Sequence, residues 1–153
     1  MPTETATENP ALREDIDELA DILMALQRCF LSNLSKELSK GHVSFPQFLL
    51  LGYLRQQGAM IMSEIAERMG HTTAAATGLV DRLESLQYVQ RAHDRRDRRK
   101  VFVSITRKGN ALVDRIRQDI VENLDRMMQQ LTPEEQKGWI QIYRKIYTIC
   151  RHP

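Results

Sequence analysis

Apolar residues recur three and four positions apart at Leu12, Ile16, Leu19, Leu23, Leu26, Phe30, Leu34 and Leu38. That spacing lines one face of an α-helix. It predicts a first helix over residues 11–39, with Gly41 as its stop signal. Ile22 and Cys29 form a weaker stripe off the main face, so this helix is expected to pack against two neighbours, a second chain being a candidate for one of them. The next helix starts at Ser44. Ser44 and Gln47 have capping-box spacing, and Phe45, Phe48, Leu49, Leu51 and Leu54 make a mostly buried helix that ends at Gly58. Met60, Ile61 and Met62 leave room for one edge strand only. Ser63 is expected to cap a short helix over 64–69, which Gly70 breaks, and a further helix should run over 73–87.

The period then changes from helical to alternating. Residues 88–92 and 101–105 read as strands, and between them lies His93-Asp94-Arg95-Arg96-Asp97-Arg98-Arg99-Lys100. A helix over 108–130 follows, capped by Thr106, with Leu112, Ile116, Ile120, Leu124, Met127 and Leu131 on one face. Thr132-Pro133-Glu134-Glu135 opens the last helix. Thr132 caps it, Pro133 takes the first helical position and Glu135 closes a capping box. Trp139, Ile140, Ile142, Tyr143, Ile146, Tyr147, Ile149 and Cys150 then cover about half of its circumference.

Two helices joined by a short glycine-containing turn form a helix-turn-helix. The order helix, strand, helix, helix, strand, basic loop, strand is the winged-helix plan. The predicted fold class is therefore mainly α with a small β-hairpin wing, a winged helix-turn-helix flanked by N- and C-terminal dimerisation helices. Residues 1–10 read as a flexible polar tail, 11–40 as an N-terminal dimerisation helix, 44–106 as the winged module and 107–153 as C-terminal dimerisation helices. The broad apolar faces at both ends predict a homodimer, the commonest oligomer.

Charge sharpens this picture. The net charge of the whole chain is only +2. Residues 91–108, however, carry Arg91, Arg95, Arg96, Arg98, Arg99, Lys100, Arg107 and Lys108 against Asp94 and Asp97, a local charge of +6 that leaves the remainder at −4. A basic segment in a near-neutral chain points to a polyanion. Around it, a wheel of the 73–87 helix buries Ala76, Leu79, Val80, Leu83 and Leu86. It turns outward Ala74, Thr77, Gly78, Asp81 and Ser85, with Thr73 near the start. Small outward residues let a helix lie deep in a major groove, where threonine and alanine methyls can meet thymine methyls. Arg82, on the flank, is placed for a phosphate. Asp81 is unfavourable there unless something pairs it.

Other chemistries find little support. There is no G-x-S-x-G, no phosphate loop and no carboxylate pair beside a histidine, so an enzyme is not expected. His42, His71, His93 and His152 are scattered and no cysteine or histidine pair has zinc spacing, so neither a metal nor a cofactor is expected. No apolar run is long enough to span a bilayer, and the expected compartment is the cytoplasm. Cys29 and Cys150 both read as structural core residues, with a redox switch at Cys29 as the alternative. Met24, Met127 and Met128 read as core or as the lining of an adaptable pocket.

Ser63-Glu64-Ile65-Ala66, Gly78-Leu79-Val80-Asp81-Arg82-Leu83-Glu84, Asp94-Arg95-Arg96-Asp97-Arg98-Arg99 and Ser104-Ile105-Thr106-Arg107-Lys108-Gly109 together resemble the MarR family of bacterial transcriptional regulators. The D-x-R-D-x-R loop and the following T-x-K-G are the most specific parts, and the helical plan is similar over residues 11–151. His71-Thr72-Thr73 stands where members often carry Pro-Ser, and Gly78 where a larger residue is common.

The resemblance implies a triangular homodimer on double-stranded operator DNA, with recognition helices in successive major grooves and wings in flanking minor grooves. It implies release by a small phenolic or lipophilic effector or by cysteine oxidation. It maps the recognition-helix contacts onto Thr72, Thr73, Ala74, Thr77, Gly78 and Arg82. The wing contacts map onto Arg95, Arg96, Arg98, Arg99 and Lys100, with Arg99 entering the minor groove and Asp97 holding it. A sequence-specific regulator, a repressor on a palindromic operator, is thus the leading reading. A redox-sensing repressor using Cys29 and a winged-helix protein-interaction scaffold are the alternatives.

Overall fold

The computed structural model describes residues 10–94, 97 and 100–151. In chain order its elements are α1 (Pro10–Lys40), α2 (Phe45–Gln57), β1 (Met60–Ile61), α3 (Met62–Met69), α4 (Thr73–Ser85), β2 (Val89–His93), β3 (Val101–Ile105), α5 (Arg107–Met128) and α6 (Pro133–Arg151). The chain divides into two units, one ending at Asn110 and the other beginning at Ala111.

The first unit is built around a three-stranded antiparallel sheet in the order β1-β3-β2. Ile61 pairs with Phe102 and Met60 with Val103, while Val89 to His93 pair with Ile105 to Val101. The edge strand expected at 60–62 forms over two residues and lies at the edge opposite β2, while Met62 already belongs to α3. Under the sheet, Leu50, Leu51 and Leu54 of α2, Ile65 of α3, Val80 and Leu83 of α4, and Val103 of β3 are all inaccessible to solvent. Burial of each such side chain contributes on the order of 1.5–3 kcal/mol.

Helix ends explain where the elements stop. Ser44 caps α2 as expected. Its backbone N–H donates to Gln47 Oε1 at 2.8 Å, and its hydroxyl accepts from Gln47 N at 3.5 Å. In α3 the expected cap is displaced. The capping position is Ile61, whose N–H donates to Glu64 Oε2 at 3.0 Å, and Ser63 lies inside the helix. Three helices close with one device, a left-handed residue followed by an N–H that reaches five residues back. Gly70 (φ 63°) closes α3, with His71 N donating to Ala66 O at 2.9 Å. His42 (φ 57°) closes α1, with Val43 N donating to Leu38 O at 3.1 Å. Gln87 (φ 63°) closes α4, with Tyr88 N donating to Leu83 O at 2.9 Å. So His42, not Gly41, turns the chain after α1. The helix expected to reach residue 87 ends at Ser85 because Gln87 has already left helical space.

In the second unit, Thr132 and Glu135 form the expected capping box on α6, with Thr132 N donating to Glu135 Oε2 at 2.8 Å. Gln136 Nε2 bridges the turn by donating to Met128 O and Leu131 O at 2.9 and 3.1 Å. Trp139 and Tyr143 lie with ring centroids 5.8 Å apart. No residue of α6 is buried, and Ile142, Tyr147 and Ile149 are 57%, 64% and 70% exposed. Likewise, in the first unit Leu12, Ile16, Leu19, Leu23 and Leu31 of α1 stand exposed.

Candidate nucleic-acid interface

The turn Gly70-His71-Thr72 sets α3 and α4 against each other, and α4 presents its outer side to solvent. Thr72 caps α4: its backbone is extended (φ −69°, ψ 155°) and its Oγ1 accepts from Ala75 N at 3.2 Å. Thr73, Ala74, Gly78, Asp81, Arg82 and Ser85 are exposed, and Thr77 is half-buried. Inward, Ala76, Val80 and Leu83 are fully buried, whereas Leu79 and Leu86, expected with them, are only half-buried. Thr77 Oγ1 donates to Thr73 O at 2.8 Å. Its hydroxyl proton is thereby occupied within the helix, and the methyl and lone pairs are what it can offer outward.

The hairpin stands beside this helix. Asp94 N donates to Lys100 O and Lys100 N to Asp97 O, both at 2.9 Å. Asp97 N donates to Asp94 Oδ1 at 3.0 Å. Asp94, used in the sequence reading only for its charge and as the first residue of the D-x-R-D-x-R motif, therefore ties residues 94, 97 and 100 together. Asp97 and Lys100 are exposed. Arg95, Arg96, Arg98 and Arg99 lie outside the described residues.

Arg91 is the residue that sequence reasoning misplaced, having counted it only toward the basic character of the hairpin. Its Nη1 donates to Glu84 Oε2 at 2.5 Å and its Nη2 to Asp81 Oδ1 at 2.6 Å. Its backbone N–H donates to Glu84 Oε1 at 3.2 Å. Partial desolvation opposes its charge, but the hydrogen bonds and charges of Asp81 and Glu84 outweigh that and hold Arg91 above the ordinary arginine range. The pairing that Asp81 needed is thus supplied by the neighbouring strand.

The T-x-K-G segment gains a role of its own. Thr106 Oγ1 donates to Gln87 O at 2.7 Å, and Thr106 N donates to Tyr88 O at 2.9 Å. Gly109 N donates to Thr106 Oγ1 at 3.1 Å. Lys108 Nζ donates to Leu86 O at 2.9 Å, at the C-terminal end of α4, and lies 5.1 Å from the Tyr88 ring centroid. These three residues join the end of α4 to the base of the hairpin.

Cys29 and Cys150 carry free thiols and are exposed in the chain taken alone. This corrects the expectation that both are core, since the apolar faces they share are themselves exposed. Among the described residues no group of three or more histidine, cysteine, aspartate or glutamate side chains is placed to hold a metal, and no helix is long and apolar enough to cross a membrane.

Comparison with known proteins agrees with this geometry. A family model described as MarR family matches residues 43–101, the span from the start of α2 to the start of β3. The HTH-type transcriptional regulator YfiV of Bacillus subtilis is 33% identical over 115 residues, covering 75% of this chain and 70% of the relative. The HTH-type transcriptional repressor MdtR of the same organism is 31% identical over 120 residues, covering 76% and 77%. The crystal structure of the S. aureus MepR–DNA complex superposes with a TM-score of 0.72 at 21% identity, over 86% of this chain and 98% of that one. Fold, motifs and relatives coincide: this chain is a member of the MarR family.

Proposed function

We propose that this protein is a sequence-specific transcriptional repressor that binds a palindromic operator as a homodimer and leaves it when a small molecule binds. The observation that carries this reading is the side-by-side placement of α4, with small residues turned outward, and a hairpin whose tip is arginine-rich. α4 is the element suited to a major groove, with Thr73, Ala74, Thr77 and Gly78 toward base edges and Arg82 toward a phosphate. The hairpin is suited to the flanking minor groove, with Arg99 inserted, Asp97 orienting it, and Arg95, Arg96, Arg98 and Lys100 along phosphates. MdtR is named a repressor and MepR has been solved on DNA, and both relationships support the same role here.

Dimerisation is supported by the exposed apolar side chains of α1 and of α6, since apolar surface of this extent marks an interface. For an effector, a cleft of about 270 Å³ in the first unit is lined by Leu31, Leu34, Leu38, Val43 and Phe45 with Ser35, Ser39 and Ser44. It is of a size for one small aromatic molecule. The test is titration of the protein into its own upstream DNA, with sedimentation in parallel. A dimer should bind an inverted repeat with half-site centres about 10 base pairs apart or a multiple of that. Binding no tighter than to random DNA would overturn the reading.

A further inference from the structure

Asp81 poses a problem on any surface that meets DNA. It lies on the exposed side of α4, one turn after Thr77 and Gly78, and its side chain is 58% exposed. On a bound duplex a carboxylate there would stand near the phosphates, where like charges repel. Arg91 answers it from the neighbouring strand, with one nitrogen on Asp81 and the other on Glu84. With both terminal nitrogens committed and its side chain only 25% exposed, the guanidinium is poorly placed to serve DNA directly.

We infer that Arg91 is a positioning residue of the DNA-binding surface whose task is to mask Asp81, so that α4 can approach the phosphate backbone. The inference rests on the DNA-binding reading above. It assigns the arginine a place in affinity without a DNA contact of its own. It also separates Arg91 from the arginines of the hairpin tip, with which its charge alone would group it.

Masking has an asymmetric signature. A structural tie between α4 and β2 is broken by removing either partner. A phosphate contact is lost with the arginine, whatever stands at position 81. A mask matters only while there is a carboxylate to cover. The experiment therefore compares Arg91→Met, Asp81→Asn and the double variant with the wild type. Each is titrated with operator DNA at fixed salt, and circular dichroism follows unfolding of each.

Arg91→Met should weaken binding about tenfold or more, as expected for coupled charges in contact. Asp81→Asn should leave binding within about threefold of wild type, and the double variant should return to the same range. Should Arg91→Met fail to fold, Arg91→Lys supports the same comparison: one ammonium covers one carboxylate, giving a smaller loss that Asp81→Asn again reverses. A double variant as weak as Arg91→Met would show that the arginine acts through DNA or through Glu84 and not by covering Asp81, and would overturn the proposal. Asp81→Asn as weak as Arg91→Met would show a structural tie and overturn it equally. A wild type that prefers no DNA at all would remove the reading beneath it, an outcome distinct from both.

Discussion

Gly109→Ala tests how the hairpin is fastened to the helices around it. A Cβ at position 109 would sit inside the contact distance of Tyr88 O, 2.7 Å from Ile105 Cγ1 and 3.1 Å from Tyr88 C. The carbonyl cannot simply retreat, because it accepts from Thr106 N at 2.9 Å. Forcing a methyl into such a site costs about 1–3 kcal/mol. Against this, alanine is favoured over glycine by about 1 kcal/mol within a helix and by less in its first turn. The net expectation is a loss of roughly 1–2 kcal/mol, or a fall of roughly 2–8 °C in the unfolding midpoint for a chain of this size. Gly138→Ala is the control. It lies within α6 with no heavy atom within 4 Å of an added Cβ, so it should stabilise by up to about 1 kcal/mol. Thermal unfolding at one fixed protein concentration reads both, because an oligomer's midpoint depends on concentration. If Gly109→Ala melts at or above the wild-type midpoint, the close approach to Tyr88 is not why glycine stands there.

Four further outcomes are expected. Arg96→Ala should lower the slope of log affinity against log salt by up to about 2 in a dimer. Arg99→Ala should instead cost about 1–3 kcal/mol per half-site and weaken the preference for A·T pairs at the operator edges; binding to operators with A·T or G·C flanks across a salt series checks both, and an unchanged flank preference removes Arg99 from the minor groove. Deleting residues 133–153 should give a monomeric or poorly soluble protein without tight DNA binding, and sedimentation of an intact dimer would place the interface elsewhere. The carboxylate of Glu135 is held below its ordinary range, first by the Thr132 N–H and then by the Thr132 side chain. Its contribution to the α6 cap is therefore present above the ordinary glutamate pKa and lost as pH falls through the lowered one. The difference in midpoint between wild type and Glu135→Gln should shrink between neutral pH and about pH 3, and a constant difference would refute that assignment.

The helices were legible because their apolar spacing is long and regular, and α2 and α6 because Ser44–Gln47 and Thr132–Glu135 announce their caps. Gly70 likewise announced the turn between α3 and α4. The ends at His42 and Gln87 were hidden, since a left-handed residue is expected to be glycine and here tertiary packing imposes the conformation on larger side chains. The buried pairs Leu38 with Val43 and Leu83 with Tyr88 flank those two turns. The outward face of α4 followed from the helical wheel. Arg91 did not, because its partners lie seven and ten residues back on another element, and charge counting treats every arginine alike. The role of Gly109 depends on a carbonyl 21 positions away, which no local pattern reveals. The exposure of Cys29 was misjudged because an apolar stripe says that a face will be covered, not that its own chain covers it.

The strand order has a consequence for how the protein is made. β3 is the middle strand of its sheet, yet it is the last of the three to be synthesised. Its first partner β1 leaves the ribosome about 40 residues earlier, as the pairing of Ile61 with Phe102 shows. At a synthesis rate of roughly 5–20 residues per second, β1 waits about 2–8 s for β3, and for about the last 1–3 s of that wait α2, α3 and α4 are all made and β3 is still absent. During that interval Leu50, Leu54, Ile65 and Leu83 lack the strand that completes their burial. β2 and β3 form a local hairpin, which closes within about 1–10 μs once both are available, so the wait is set by translation and not by folding. A premature stop between residues 94 and 101 would release a chain in which α1 to α4 are made but β3, α5 and α6 are missing and the core is open on one side, a species prone to aggregate or to be captured by chaperones.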